Sequence, residues 1–194
     1  MKAYHFLKAD MTAGMGNEPA WKVGEERTVT RVIKLCERGY HHSPSWYDAL
    51  GYAPGPMACI VEVSDPVESD DTKGVSRTRK LVAARNVEHT IRLWVCDCAE
   101  RALLREREAG REPDLRSWRA IEVARRFANG AATAEELDAA RAAAWDAARD
   151  ARAAAREAVW DAWDAAGDAA CPDEVEWQRS RLDFLMEEAF GGTA

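Results

Sequence analysis

No stretch of the chain approaches the ~20 consecutive apolar residues that a membrane-spanning helix needs, so none is expected. The opening residues, Met1 to Met11, lack the apolar core and small-residue cleavage site of a secretory leader. Cysteine is scarce and odd in number, with five residues whose spacing suggests no disulfide framework. A reducing, cytoplasmic setting is the expectation that follows. The common catalytic signatures are missing as well: G-x-S-x-G, the P-loop, H-E-x-x-H and G-x-G-x-x-G do not occur. The reading therefore leans away from an enzyme, and no cofactor or resident metal is expected.

A basic footprint is also lacking. The formal net charge is −7, and the excess of acid lies in residues 134–194, with 6 Lys+Arg against 15 Asp+Glu. Direct nucleic-acid binding is not expected of such a chain. A protein partner with a basic surface suits it better.

What is present describes a folded protein. The chain has 194 residues, 47% hydrophobic and 31% charged, which is the balance of a globular protein with a real core. Up to residue 85 the pattern is that of strands and turns. Lys2–Leu7 and Thr28–Glu37 are rich in β-branched and aromatic residues, Met57–Ser64 alternates, and Val75–Ala84 supplies a fourth strand. Between them Ser43-Pro44 offers an N-cap and first-turn proline for a short helix over Ser45–Tyr52. From residue 86 the pattern becomes helical. Asn86 caps a helix over 87–109, with Ile91, Val95, Cys98, Ala102 and Leu103 facing inward. Asp114 caps a second, with Leu115, Trp118, Ile121, Val123 and Phe127 inward. Thr133 to Glu136 forms a capping box for a third, and a fourth runs from Asp173 to Phe190. The fold class expected is α+β: a strand-rich domain over 1–85, then a helical domain over 86–194 built round one long alanine-rich helix.

That third helix is unusual in composition. Between Ala131 and Cys171, 20 of 41 residues are alanine. Wound at 100° per residue, residues 137–170 separate into three faces. One is nearly all alanine, beginning with Leu137, Ala140, Ala144 and Ala147. A second carries Trp145, Trp163 and several arginines, with Trp160 close by. A third gathers Asp146, Asp150, Asp161, Asp164 and Asp168 over about 33 Å. The segment beginning at Trp145 recurs at Trp163, five full turns later. These three tryptophans and five aspartates are the candidate partner-binding residues. Self-association through the alanine face, giving a homo-oligomer, is a further reading.

The strand-rich half holds a second candidate. His5, Cys36, His41, His42 and Tyr47 have the chemistry of a pocket, either for a ligand or, with Cys59, for a metal. Adjacent histidines on an extended segment point to opposite sides, which weighs against a shared ion. His5, Tyr47 or Tyr52, and Glu88 also follow the His–Tyr–Glu order of ADP-ribosyltransferases, the enzyme alternative. A concave site gathering the histidines would favour this half as the functional one. A filled domain beside exposed tryptophans would favour the helix.

The segments Cys36-Glu-Arg-Gly-Tyr-His-His-Ser43, Asp48-Ala-Leu-Gly-Tyr-Ala-Pro-Gly-Pro-Met57 and Val61-Glu-Val63, with the opening Lys2-Ala-Tyr-His-Phe-Leu7, resemble the DUF7666 domain of actinobacterial phages and prophages. Members often carry Ala/Trp/Asp-rich helical repeats behind it, and an ending like Arg181–Phe190 here. The middle, from Val95 to Arg125, is similar to helical immunity proteins of bacterial toxin systems. The resemblance implies a phage or prophage accessory protein that binds and neutralises a bacterial protein, in the manner of immunity or counter-defence. It implies no catalytic residues.

Overall fold

The computed structural model describes residues 1–158 and 172–191. In chain order the elements are β1 (Lys2–Leu7), β2 (Glu26–Thr28), β3 (Tyr40–His42), α1 (Trp46–Leu50), β4 (Met57–Val63), β5 (Pro66–Ser69), β6 (Gly74–Ser76), β7 (Thr78–Asn86), α2 (Glu88–Glu108), α3 (Leu115–Ala128), α4 (Ala134–Ala158) and α5 (Pro172–Ala189). The class is α+β, with two antiparallel sheets followed by four C-terminal helices. The described residues form two compact units: Met1–Thr90 together with the chain from Arg179 onward, and Ile91–Gln178.

In the first unit, one sheet has the order β1-β4-β7-β2 and the other β3-β6-β5. β1 lies antiparallel to β4 with His5 opposite Cys59. Alternation along β4 sends Cys59, Val61 and Val63 into the core with Ala3, Leu7, Trp21, Tyr40 and Leu81. A bulge at Ile60/Val61 re-phases its pairing with β7. The sheets are stitched where Tyr4 and Ser43 exchange backbone hydrogen bonds of 3.0 and 2.9 Å. That bridge sets the end of β3 beside β1, and so brings His41 and His42 towards His5.

Three expectations for this unit are corrected. Thr28–Glu37 is not a strand: only Glu26–Thr28 pairs, with β7. Val32 is exposed, and the chain reverses between Lys34 and Arg38 through Cys36, whose φ of 65° lies in the left-handed region. Val75–Ala84 is two strands, because β6 pairs with β3 and β5 while β7 joins the other sheet. The cap of α1 is Ser45, not Ser43: its hydroxyl accepts from Asp48 N at 3.1 Å. Ser43 is instead committed to the bridge with Tyr4.

The second unit follows its capping signals. Asp114 accepts from Arg116 N at 2.8 Å. Thr133 and Glu136 form the reciprocal box, with Thr133 N donating to Glu136 at 2.8 Å and Glu136 N to Thr133 at 3.2 Å. Glu88 N also donates to Asn86 at the head of α2, at 3.0 Å. On α4, Leu137 and Ala147 are buried, as the alanine face requires. Three inward assignments are corrected: Val95 and Ala102 are exposed while Cys96 is buried, and Leu115 is exposed. The buried phase of α2 is therefore one residue off the assumed one. Leu115 is the first residue of α3, whose one buried residue is Val123, two turns further on. Among the described residues no helix is long and apolar enough to cross a membrane.

Candidate functional site

A cavity of about 370 Å³ in the first unit gathers His5, Cys36, His41 and His42. Tyr40, Tyr52, Lys73, Arg79 and Glu18 also line it. Tyr47 does not: the Arg179 guanidinium stacks on its ring at 4.8 Å. Glu88, in the first turn of α2, is not on the cavity wall either.

Each histidine is held in a defined way. His42 is buried, and its Nε2 lies 2.9 Å from Ser76 Oγ. That hydroxyl already donates to Ser64 O at 2.8 Å, so it accepts from His42 Nε2–H. Burial, helped by the charge on Arg79, pulls the His42 pKa down to about 4. His41 accepts at Nε2 from Cys36 N at 2.8 Å, which makes its other nitrogen the protonated one. Burial lowers its pKa, with Lys73 and Arg79 acting in the same direction. His5 is lowered well below the ordinary value, first by burial and then by Arg79. Its Nε2 is sealed from water and has no hydrogen-bond partner among the described residues. Cys59 sits in the core, where burial pushes its thiol up to about 12 and leaves it inert.

Among the described residues no group of three or more His, Cys, Asp or Glu side chains is placed to hold a metal ion. The nitrogen lone pair that neutral His41 would offer is taken by Cys36 N at its Nε2.

Arg79 is the residue that sequence reasoning missed. In β7, Arg79 and Leu81 are both buried while Lys80 and Val82 between and beyond them are not. An arginine in phase with a core leucine was the available signal. Its guanidinium stacks on Trp21 at 4.4 Å and Tyr40 at 4.9 Å, and donates to His41 O at 3.2 Å.

The helical candidates fare differently. Trp160, Asp161, Trp163, Asp164 and Asp168 lie outside the described residues. Trp145 is 72% exposed on α4. Asp146 pairs with Arg149 at 2.9 Å and Asp150 with Arg116 at 3.0 Å. In this half of the stripe the acidic field is partly neutralised.

The buried histidines make the fold sensitive to acid. His42 titrates near 6.5 when free and near 4 in the fold, so the unfolded chain takes up the proton first as pH falls. The stability held by neutral His42 is complete above about 6.5 and is lost between 6.5 and 4; His5 and His41 shift in the same direction. Urea midpoints should therefore fall across that window. His42→Gln, which keeps a donor for Ser76, should flatten the fall. An equal slope in wild type and variant would remove His42 as its source.

These features define an α+β domain with two small antiparallel sheets and a histidine-lined cavity. The family model described as "Domain of unknown function (DUF7666)" matches residues 1–93, so that part of the chain is a DUF7666 domain. No curated protein and no solved structure matches the chain.

Proposed function

We propose that the DUF7666 domain is a small-molecule-binding domain whose site is this cavity. The observation that carries the reading is one cavity wall that gathers His5, His41 and His42 with the buried side chain of Arg79. His5 Nε2, buried and without a hydrogen-bond partner among the described residues, adds that the polar groups of this wall are not fully satisfied by the fold itself. The cavity also lies within the size range of small-molecule sites. Of the ADP-ribosyltransferase-like triple, His5 and Tyr52 share the cavity and Glu88 is elsewhere, so ligand binding is better supported than that chemistry. The test is a fragment screen against the isotope-labelled full chain by NMR. Bound fragments should shift the signals of His5, Tyr40, His41 and His42. Shifts confined to other residues, or none, would overturn the reading.

A second reading is supported by Trp145. A large aromatic side chain left 72% exposed is the kind of anchor that partner proteins cover. On this reading the alanine-rich helix binds a bacterial protein, as a phage or prophage immunity or counter-defence factor would. Trp145→Ser should abolish stoichiometric retention of such a partner in a pull-down without changing the fold. Retention by the variant would sink it. Light scattering on the same samples separates a hetero-complex from self-association.

A further inference from the structure

The cavity has a charge that no described carboxylate pairs with. Arg79 is 4% exposed. Its one hydrogen-bond acceptor among the described residues is a backbone carbonyl, and none of their carboxylates lies within ion-pair distance of it. Burial lowers its pKa to about 10, which leaves the guanidinium charged at neutral pH. Buried charges are ordinarily paired, because an unpaired one forfeits its hydration without compensation.

The surrounding groups do not supply the pair. Glu18, the carboxylate whose field Arg79 feels most, is 3.7 Å from Arg27, which also binds Glu25 at 2.7 Å. His5, His41 and His42 all have lowered pKa values and are neutral near pH 7. Cys59 is held as a thiol. Lys73, also on the wall, lies 4.7 Å from the Tyr52 ring centroid and 3.9 Å from Asp70. Two cations and three neutral imidazoles thus face one carboxylate already engaged by another arginine. The tyrosine rings supply an apolar surface.

We propose that the ligand of this cavity is a small organic anion, a phosphate or carboxylate borne on an apolar body, with Arg79 as its counter-charge and Lys73 as a second cation. The proposal rests on the reading of the cavity as a ligand site and specifies what that site selects. A guanidinium presents two parallel donors to either group, and low surrounding polarity strengthens the pairing.

Three matched probes test it on the labelled full chain at low ionic strength: phenyl phosphate, benzoate and benzamide. The last two share a shape and differ in charge. At least one anion should bind tenfold or more tightly than benzamide and shift the Arg79 Nε–H signal. Which anion wins distinguishes the phosphate from the carboxylate. Arg79→Gln should erase that preference. Since Arg79 also packs on Trp21 and Tyr40, Lys73→Gln, at a more exposed position, is the second variant. It should weaken the preferred anion several-fold and leave benzamide unchanged. Benzamide binding as tightly as both anions would overturn the anion inference while leaving the cavity reading intact. So would anions that bind without moving Arg79, which would make that residue a packing element of the core. If none of the three moves a cavity residue, the inference falls, and the fragment screen judges the cavity reading separately.

Discussion

Trp46→Ala should destabilise the first unit by about 3–5 kcal/mol, the range for removing a large aromatic from a packed core. Trp46 is 5% exposed, and its ring touches three others: Tyr4 at 4.3 Å, Phe6 at 6.0 Å and Phe190 at 5.4 Å between centroids. It therefore joins β1, the short helix α1 and the end of α5 within one aromatic cluster. Each such pair adds roughly 0.5–1.5 kcal/mol beyond burial. Truncation also leaves a cavity that five residues of α1 are too short to close by shifting. The matched control is Trp145→Ala on α4. Being 72% exposed, Trp145 should cost no more than about 0.5 kcal/mol. Because the chain has two units, unfolding is best followed by the NMR signals of each rather than by one global probe. A loss below about 1 kcal/mol for Trp46→Ala would remove the cluster as the unit's anchor.

The legible parts of this fold were those written in local chemistry. Asn86, Asp114 and the Thr133–Glu136 box start three helices by satisfying free backbone N–H groups, a demand that no tertiary contact alters. β1 and β4 were legible because one apolar face meets one core. What failed depended on distant partners. Residues 29–37 have strand-like composition, but only three residues before and at Thr28 find a neighbouring strand. β5 starts with Pro66 and is exposed throughout, so neither pattern nor composition marked it; it exists because β6 pairs with it. The break at Arg77 reflects a change of sheet, which composition does not record.

The same division runs through the site. Histidines 5, 41 and 42 could be listed from the sequence because imidazole is chemically conspicuous. That they share a wall follows from the Tyr4–Ser43 bridge, a contact across 39 positions made by backbone atoms alone. Arg79 was hidden for the opposite reason. An arginine between Thr78 and Lys80 reads as an exposed strand residue, and only its phase with Leu81 turns it inward. Tyr47 has the chemistry of a pocket residue and lies elsewhere, since α1 turns Trp46, Asp48 and Ala49 into the protein instead.

Gly39→Ala should cost about 2–5 kcal/mol and remove ligand binding with it, because two penalties coincide there. Its φ of 127° is one that residues with a Cβ rarely adopt. A Cβ would also lie 2.4 Å from Val75 Cγ2 and 3.0 Å from Ile33 Cγ2. Val75 is fully buried in β6, and Ile33 is buried too, so neither can withdraw without opening the core. Gly39 immediately precedes β3, and displacing it moves Tyr40, His41 and His42 together, all of which line the cavity. Gly24→Ala separates the two penalties. Its φ is 88°, yet nothing lies within 4 Å of where the new methyl group would sit, so it carries backbone strain alone. The strain part is about 1 kcal/mol, and the excess at Gly39 over Gly24 measures the overlap. Denaturation midpoints of the two variants, with fragment titrations of each, give both numbers. Equal losses would mean that β3 yields freely, and the cavity wall would then be too soft to hold the imidazoles in register for a ligand. An excess at Gly39 with binding lost only there would show that the same packing that fixes β3 also sets the site.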